Sequence, residues 1–403
     1  MHRAKGAYRS SVYAYCHELD AWLQGERSNL TKAAEPRHTG RKTLWTISAL
    51  MLGALLIATV MLVIRGLHSR IPADFTIAGS SLIILDESRR PLWKYDTGLE
   101  TLSPENFYRD HFQERKSLSR QKVLPNLLIR DIDSDGRREV LFAVCTTDEY
   151  AGGRLICLSA TGKKRWSFSA GQQAVFGSTT YSAEYRIYGI ASSDLDGDGN
   201  EEIVIIATNV SLFPSRLIVL RSDGTELGQY WHSGHLSDIR LHDVNGDGIK
   251  EIIAVGTNNE YRRGCLAVFN PMALSGCSPQ TNYSYVVKDG KLGSQLHYIL
   301  FPRSQIDQIL NPVNEAICRV DMLANNVIEA EATISGIIYQ FDSRLRLKGV
   351  FASDFSEMQY LKAKGMAGYV ADLSTDDLEK MGREIRYWDG HRWALGTKGI
   401  RTQ

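Results

Sequence analysis

The sequence predicts an all-β protein, a β-propeller of about five four-stranded blades, preceded by a single transmembrane α-helix. Asp-rich loops of one spacing occur three times, each opening onto a β-branched run. Between them a second unit recurs: an apolar strand, a turn, and a further strand carrying Trp or Tyr. Ahead of both lies one long uncharged apolar segment, Leu44 to Ile64. Four-stranded units in tandem, each burying its faces only against its neighbours, build a propeller. A β-sandwich of the same strands gives no reason for the repeat.

The loops are Asp131-Ile-Asp-Ser-Asp-Gly136, Asp194-Leu-Asp-Gly-Asp-Gly199 and Asp243-Val-Asn-Gly-Asp-Gly248. Oxygen-bearing side chains fall at positions 1, 3, 5 and 9: Asp131, Asp133, Asp135 and Glu139; Asp194, Asp196, Asp198 and Glu202; Asp243, Asn245, Asp247 and Glu251. A hard cation such as Ca²⁺ needs that layout from a tight loop. An EF-hand would continue with an acid at position 12 and a helix, but Phe142, Ile205 and Ala254 stand there. A solvated Asp-Gly turn needs only the glycine and one aspartate. Recurrence of all four oxygen positions asks for more, so Ca²⁺ is the expected cofactor. The neutral Asn245 makes the third loop the weakest.

The apolar segment sets the domain plan. It is long enough to cross a bilayer as a helix, and it follows more than forty residues, unlike the apolar core of a cleaved signal peptide. Arg27, Lys32, Arg37, Arg41 and Lys42 precede it, against Arg65 and Arg70 after it. That bias places the N-terminus in the cytoplasm and the large C-terminal domain outside. The plan reads as an N-terminal unit at 1–30, a basic linker at 31–43, the span at 44–64, a stalk at 65–74 and the propeller at 75–403. Net charge is +1, yet residues 1–43 hold eight Lys/Arg against four Asp/Glu, so the region beyond Arg70 is net acidic. It is no nucleic-acid surface.

In the N-terminal unit Ser11-Val-Tyr-Ala-Tyr15 alternates like a strand, and Cys16 to Glu26 reads as a helix with Leu19, Trp22 and Leu23 on one face. These residues resemble the wing and last helix of excisionase-like winged-helix domains. The DNA-reading helices of that family lie upstream of the matched part, so no nucleic-acid partner is expected.

Within 75–403 the strand pairs are Leu82-Ile-Ile-Leu with Pro91-Leu-Trp-Lys-Tyr95, Leu155-Ile-Cys-Leu with Trp166-Ser-Phe168, and Leu217-Ile-Val-Leu with Tyr230. A weaker copy runs from Ile337 to Leu347, and Cys265-Leu-Ala-Val-Phe-Asn270 starts another. Together with D-x-[DN]-x-D-G-x-x-E, the pattern resembles FG-GAP repeats (integrin α-subunit-like, also called VCBS-like) across roughly residues 80–270. The resemblance implies calcium at the twelve loop residues named above. Short helices are expected at Gln305 to Leu310, Ser356 to Lys364 (closed by Gly365) and Thr375 to Met381, the last capped by Ser374. A final hairpin, Ile385 to Ala394, turns at Asp389-Gly390 and is expected to complete the blade begun at Leu82.

Six cysteines show no C-x-x-C, which excludes a zinc knuckle or thioredoxin-like site. Cys145 and Cys157 flank a hairpin loop and are expected to form a disulfide. The chain has no G-x-S-x-G, H-E-x-x-H or P-loop signature. His232, His235 and His242 crowd the third loop, where solvation is the simpler reading. Ser159-Ala-Thr-Gly162-Lys-Lys-Arg-Trp166 is similar to the blade-docking turn of pyrroloquinoline-quinone dehydrogenases, which makes a quinoprotein-like enzyme the catalytic rival. The expected function is instead non-catalytic: a calcium-stabilised binding, adhesion or scaffold module whose loops meet a protein or glycan. A membrane regulator with an outer sensor is the other alternative.

Overall fold

The computed structural model describes residues 2–3, 12–13, 16–29, 51–61, 71–99, 101–109, 124–146, 153–313, 317–332, 334–368 and 373–396. The chain divides into two compact units, Met1–Leu67 and His68–Gln403.

In the first unit His2–Arg3 pairs antiparallel with Val12–Tyr13, and an α-helix covers Cys16–Asn29. Leu19, Trp22 and Leu23 on this helix are exposed. Of the expected span only residues 51–61 are described, and they are helical. Among the described residues no helix is long and apolar enough to cross a membrane. The basic linker and most of the stalk lie outside the described residues.

The second unit is a propeller of antiparallel sheets taken in chain order. The first has Asp74–Ala78, Ser81–Leu85 and Pro91–Asp96. The second has Leu127–Arg130, Glu139–Val144, Arg154–Leu158 and Lys164–Ser169. The third has Tyr185–Ser193, Glu202–Asn209, Ser215–Leu220 and Glu226–His232. Gly234–His242, Glu251–Asn258, Arg263–Phe269 and Gln295–Leu300 open the fourth, and Ile317–Leu323, Val327–Ala332, Ile337–Phe341 and Leu347–Ala352 form the fifth.

Strand periodicity explains why the central strands read as unbroken apolar runs. Successive side chains point to opposite faces, and here both faces are covered. Val140 and Phe142 pack on Leu82 and Ile84 of the first sheet, whereas Leu141 and Ala143 pack on Ile203 and Ile205 of the third. Val204 and Ile206 meet Ile252 and Ala254 of the fourth, whose Ile253 and Val255 meet Ile328 and Ala330 of the fifth. Truncating one such residue, Ile205→Ala for example, would cost about 2–5 kcal/mol.

Indole docking ties the early sheets together. Trp93 Nε1 donates to the Ala160 carbonyl (2.9 Å) and Trp166 Nε1 to the Ser222 carbonyl (2.8 Å). Gly162 and Gly224 lie under these rings at φ +82° and +86°, and a Cβ on either would come within 2.7 Å of the indole. Only glycine meets both demands. At the next joint Gly228 stands where Trp166 stood, and a Cβ there would meet the Leu274 carbonyl at 2.3 Å. An insertion around residues 271–292 packs there instead, joined to the hairpin Ala174–Phe176/Thr179–Tyr181 through Phe176, Phe213, Cys277 and Val287.

Three expectations are corrected. The C-terminal hairpin, Arg386–Trp388 with Trp393–Leu395, forms as expected, but it joins the fourth sheet through Ile299↔Tyr387 and Leu300↔Arg386 rather than the first. The helix Asp354–Ala367 runs through Gly365 and ends at Gly368, whose φ of +74° favours glycine. Cys145 and Cys157 are both buried and are not bonded to each other. Leu141 is the partner of Cys157, so Cys145 lies four residues further along the strand, about 13 Å away at the usual strand rise. A disulfide requires Cα atoms within about 7 Å. Burial also pushes the Cys157 thiol up to about 12, leaving it no thiolate character at neutral pH.

Candidate functional site

The three Asp loops connect the first and second strands of the second, third and fourth sheets, so all lie on one rim. The loops touch in series. Ser134 Oγ donates to the Gly199 carbonyl, and Glu201 N donates to the Ile132 carbonyl at 2.8 Å. Lys250 Nζ reaches Ser193 Oγ at 2.6 Å.

Each loop is wound around its first aspartate. Asp131 accepts from Asp135 N and Gly136 N; Asp194 from Gly197 N and Gly199 N; Asp243 from Gly246 N, Asp247 N and Gly248 N. The position-5 carboxylates accept from the backbone two residues on: Asp135 from Arg137 N, Asp198 from Asn200 N, Asp247 from Ile249 N. The glutamates at position 9 are buried, and one oxygen of each accepts from the second residue of the loop: Ile132 N at 3.4 Å, Leu195 N at 2.9 Å, Val244 N at 2.8 Å. Burial raises the pKa of Glu139, Glu202 and Glu251, and the neighbouring aspartates raise it further against those backbone bonds.

In the first two loops positions 1, 3 and 9 converge. These three carboxylates offer oxygens within 4.8 Å of one another: Asp131, Asp133 and Glu139, then Asp194, Asp196 and Glu202. What faces them differs. In the first loop Arg165 Nη2 lies 2.7 Å from Asp133 Oδ2 and Nη1 lies 3.2 Å from Glu139 Oε1. In the third, Asn245 Nδ2 donates to Glu251 Oε1 at 2.9 Å and Asp247 Oδ2 at 3.0 Å. In the second, no basic side chain pairs with Asp194, Asp196 or Glu202 among the described residues, because Arg130 pairs with Glu201 (3.3 Å) and Lys250 with Ser193. The donor set fits calcium best there: all oxygen, one member buried, and no cation of its own.

Arg165 was not legible as a site residue. It sits at a β-bulge: Leu158 pairs with Lys164 and Cys157 with Trp166, leaving Arg165 the extra residue. Bulges re-aim side chains. Burial opposes its charge, yet the hydrogen bond to Asp133 and the fields of Asp133 and Glu139 outweigh that and push its pKa up.

Among the described residues the histidines form no group that could hold a metal. His232 is buried, with Nε2 2.8 Å from the Thr257 carbonyl and Nδ1 3.4 Å from Tyr298 Oη. His235 packs edge-on against Tyr188. Burial lowers the pKa of both to about 4, so they are neutral at physiological pH.

A cleft of about 420 Å³ opens beside the insertion, lined by Glu226, Leu227, Gln229, Trp231, Leu274 and Ser275 among others. Behind it the buried Arg216 fixes the Gln229 Oε1 from Nε (3.0 Å) and lies 5.2 Å from the Trp231 ring centroid. The cleft offers an amide, a carboxylate, a hydroxyl and an aromatic surface, a mixture typical of small-ligand sites.

No protein-family model matches the chain, and no curated protein matches it. Among solved structures it is similar to BamB from Moraxella catarrhalis, at 12% identity and TM-score 0.33 over 70% of this chain and 62% of that one. It is also similar to the Dos1 propeller, at 9% identity and TM-score 0.32 over 68% of this chain and 65% of that one. A third is the V. cholerae biofilm matrix protein Bap1, at 12% and 0.28 over 83% and 76%. The chain thus spans less than two thirds of the first two.

Proposed function

We propose that this protein is a membrane-anchored, FG-GAP-like propeller that acts outside the cytoplasm as a non-catalytic binding or scaffold module, its rim braced by calcium at Asp194–Gly199. One observation carries the reading: Asp194, Asp196 and the buried Glu202 converge without a cation of their own. A cation bound there would neutralise the cluster and hold the loop against its neighbours, whose contacts run through Gly199 and Ser193. The bound partner, a protein or glycan, would meet the loops or the cleft beside Trp231. Anchoring rests on the apolar run Leu44 to Ile64 and its basic N-terminal flank.

Extracellular calcium modules bind at about 10⁻⁴ to 10⁻³ M. At about 1 mM calcium, a site of about 10⁻⁴ M stabilises the fold by RT ln(1 + 10), about 1.4 kcal/mol. Melting the purified protein with chelator and with millimolar calcium should reveal that difference, and Asp196→Ala should abolish it. Equal melting temperatures in both buffers would remove the metal. For topology, a phosphatase reporter that requires export, fused after Gln403, should be active, and a fluorescent reporter confined to the cytoplasm should be dark. The opposite pair of results would remove the outward-facing arrangement.

The docked indoles, Trp93 over Gly162 and Trp166 over Gly224, favour a second reading as a quinoprotein-like enzyme. Its test is a visible-range cofactor spectrum of the purified protein.

A further inference from the structure

We infer that the loop Asp131–Gly136 has exchanged its metal for Arg165, a tethered cation that braces the second sheet without calcium. The inference uses the proposed reading of these loops as calcium-type loops and reverses it for this one copy.

The guanidinium contacts the third and ninth positions of the loop, Asp133 Oδ2 at 2.7 Å and Glu139 Oε1 at 3.2 Å. Calcium would need such oxygens at about 2.3–2.6 Å. The ion would then stand next to a guanidinium that is always charged, and the two cations would repel at short range. Either fills the place alone. A planar fork suits two carboxylates better than a point charge does, and the bulge between Cys157 and Leu158 delivers it from the sheet's own fourth strand.

The third sheet provides an internal control. Val219 pairs with Gly228 and Leu220 with Glu226, so its bulge residue is Leu227. The chain therefore places an apolar side chain, with no charge to offer, at the bulge position that matches Arg165, and Leu227 packs on the buried cluster that holds Leu195 and Val219. Arg165 is also the only basic residue, among the described residues, that forms an ion pair with any of the twelve loop residues.

The test counts calcium by calorimetric titration of the full chain, with melting in chelator and in calcium alongside. Arg165→Ala should bind one more equivalent than the wild type. Its lowered melting temperature should recover in millimolar calcium, with a calcium response larger than that of the wild type. Arg165→Lys, which keeps a charge, should gain no equivalent, and Arg165→Gln serves where the alanine variant fails to fold. Asp133→Asn in the wild-type background should leave the count unchanged. Loss of one equivalent on Asp133→Asn, or an uncharged Arg165 variant that folds and gains none, would overturn the exchange. A wild type that binds no calcium would remove the proposed site at Asp194–Gly199, whereas the extra equivalent on Arg165→Ala would still support the exchange.

Discussion

In the second sheet Arg165 stands at the bulge before Trp166, and in the third Leu227 stands at the matching bulge before Gly228. Both sheets carry the same loop, with a buried glutamate at position 9 and an aspartate at position 3. One sheet supplies a cation from its own fourth strand; in the other no basic side chain pairs with the three carboxylates among the described residues. The fourth sheet takes a third course, in which the Asn245 amide replaces an acid with a donor. A repeated loop therefore does not guarantee a repeated ligand, because the deciding group sits elsewhere in the blade.

The largest effect should come from Arg165→Ala in chelator. It strands the buried Glu139 beside Asp133, and after allowance for the partial exposure of Arg165 the loss should be about 2 kcal/mol. Urea melts of the two proteins measure it, and an unchanged midpoint would mean the ion pair is only decorative. Next comes Leu227→Arg, which gives the third sheet the cation of the second. It should erase the calcium response of about 1.4 kcal/mol. A response as large as the wild type's would show that the two bulges are not equivalent.

Asn245→Asp should act in the opposite sense. It removes the amide donor facing Glu251 and adds a charge, costing about 1 kcal/mol in chelator, and calcium should restore it. Melting with and without calcium reads both halves.

The smallest effect should be in pH. The folded pKa of Glu202 is raised above its unfolded value of 4.5, mainly by burial. The stability it contributes is therefore complete below that unfolded value and is lost as pH rises through the folded pKa. In chelator the difference between wild type and Glu202→Gln should slope accordingly, and calcium, which favours the ionised carboxylate, should flatten it. Identical slopes with and without calcium would separate Glu202 from the metal.

The sequence makes the repeat visible because its causes are local. Glycine at a left-handed turn, an apolar run of strand length, and an N-cap such as Ser374, whose capping box with Asp377 starts the helix Thr375–Arg383, each act within a few residues. The helix Gln305–Leu310 was legible for the same reason. What stayed hidden depends on register. Arg165 reaches a loop some thirty residues earlier only because one residue is extruded from its strand. Cys145 and Cys157 sit on adjoining strand segments, yet the pairing Leu141↔Cys157 carries them apart. The helix ending at Gly368 passes through Gly365, because one interior glycine costs only about 1 kcal/mol.

The destination of the C-terminal hairpin has a topological consequence. Since Tyr387 pairs with Ile299, everything between the strand ending at Leu300 and the strand starting at Arg386 is a closed excursion from one sheet. The fifth sheet and the helices Asp354–Ala367 and Thr375–Arg383 all belong to that excursion. The fifth sheet is thus an insert anchored at both ends rather than a terminal blade, and it is seated on the fourth sheet through Ile253 and Val255 against Ile328 and Ala330. Closing so long a loop costs entropy that grows only with the logarithm of its length, so the excursion can be lengthened at little thermodynamic expense.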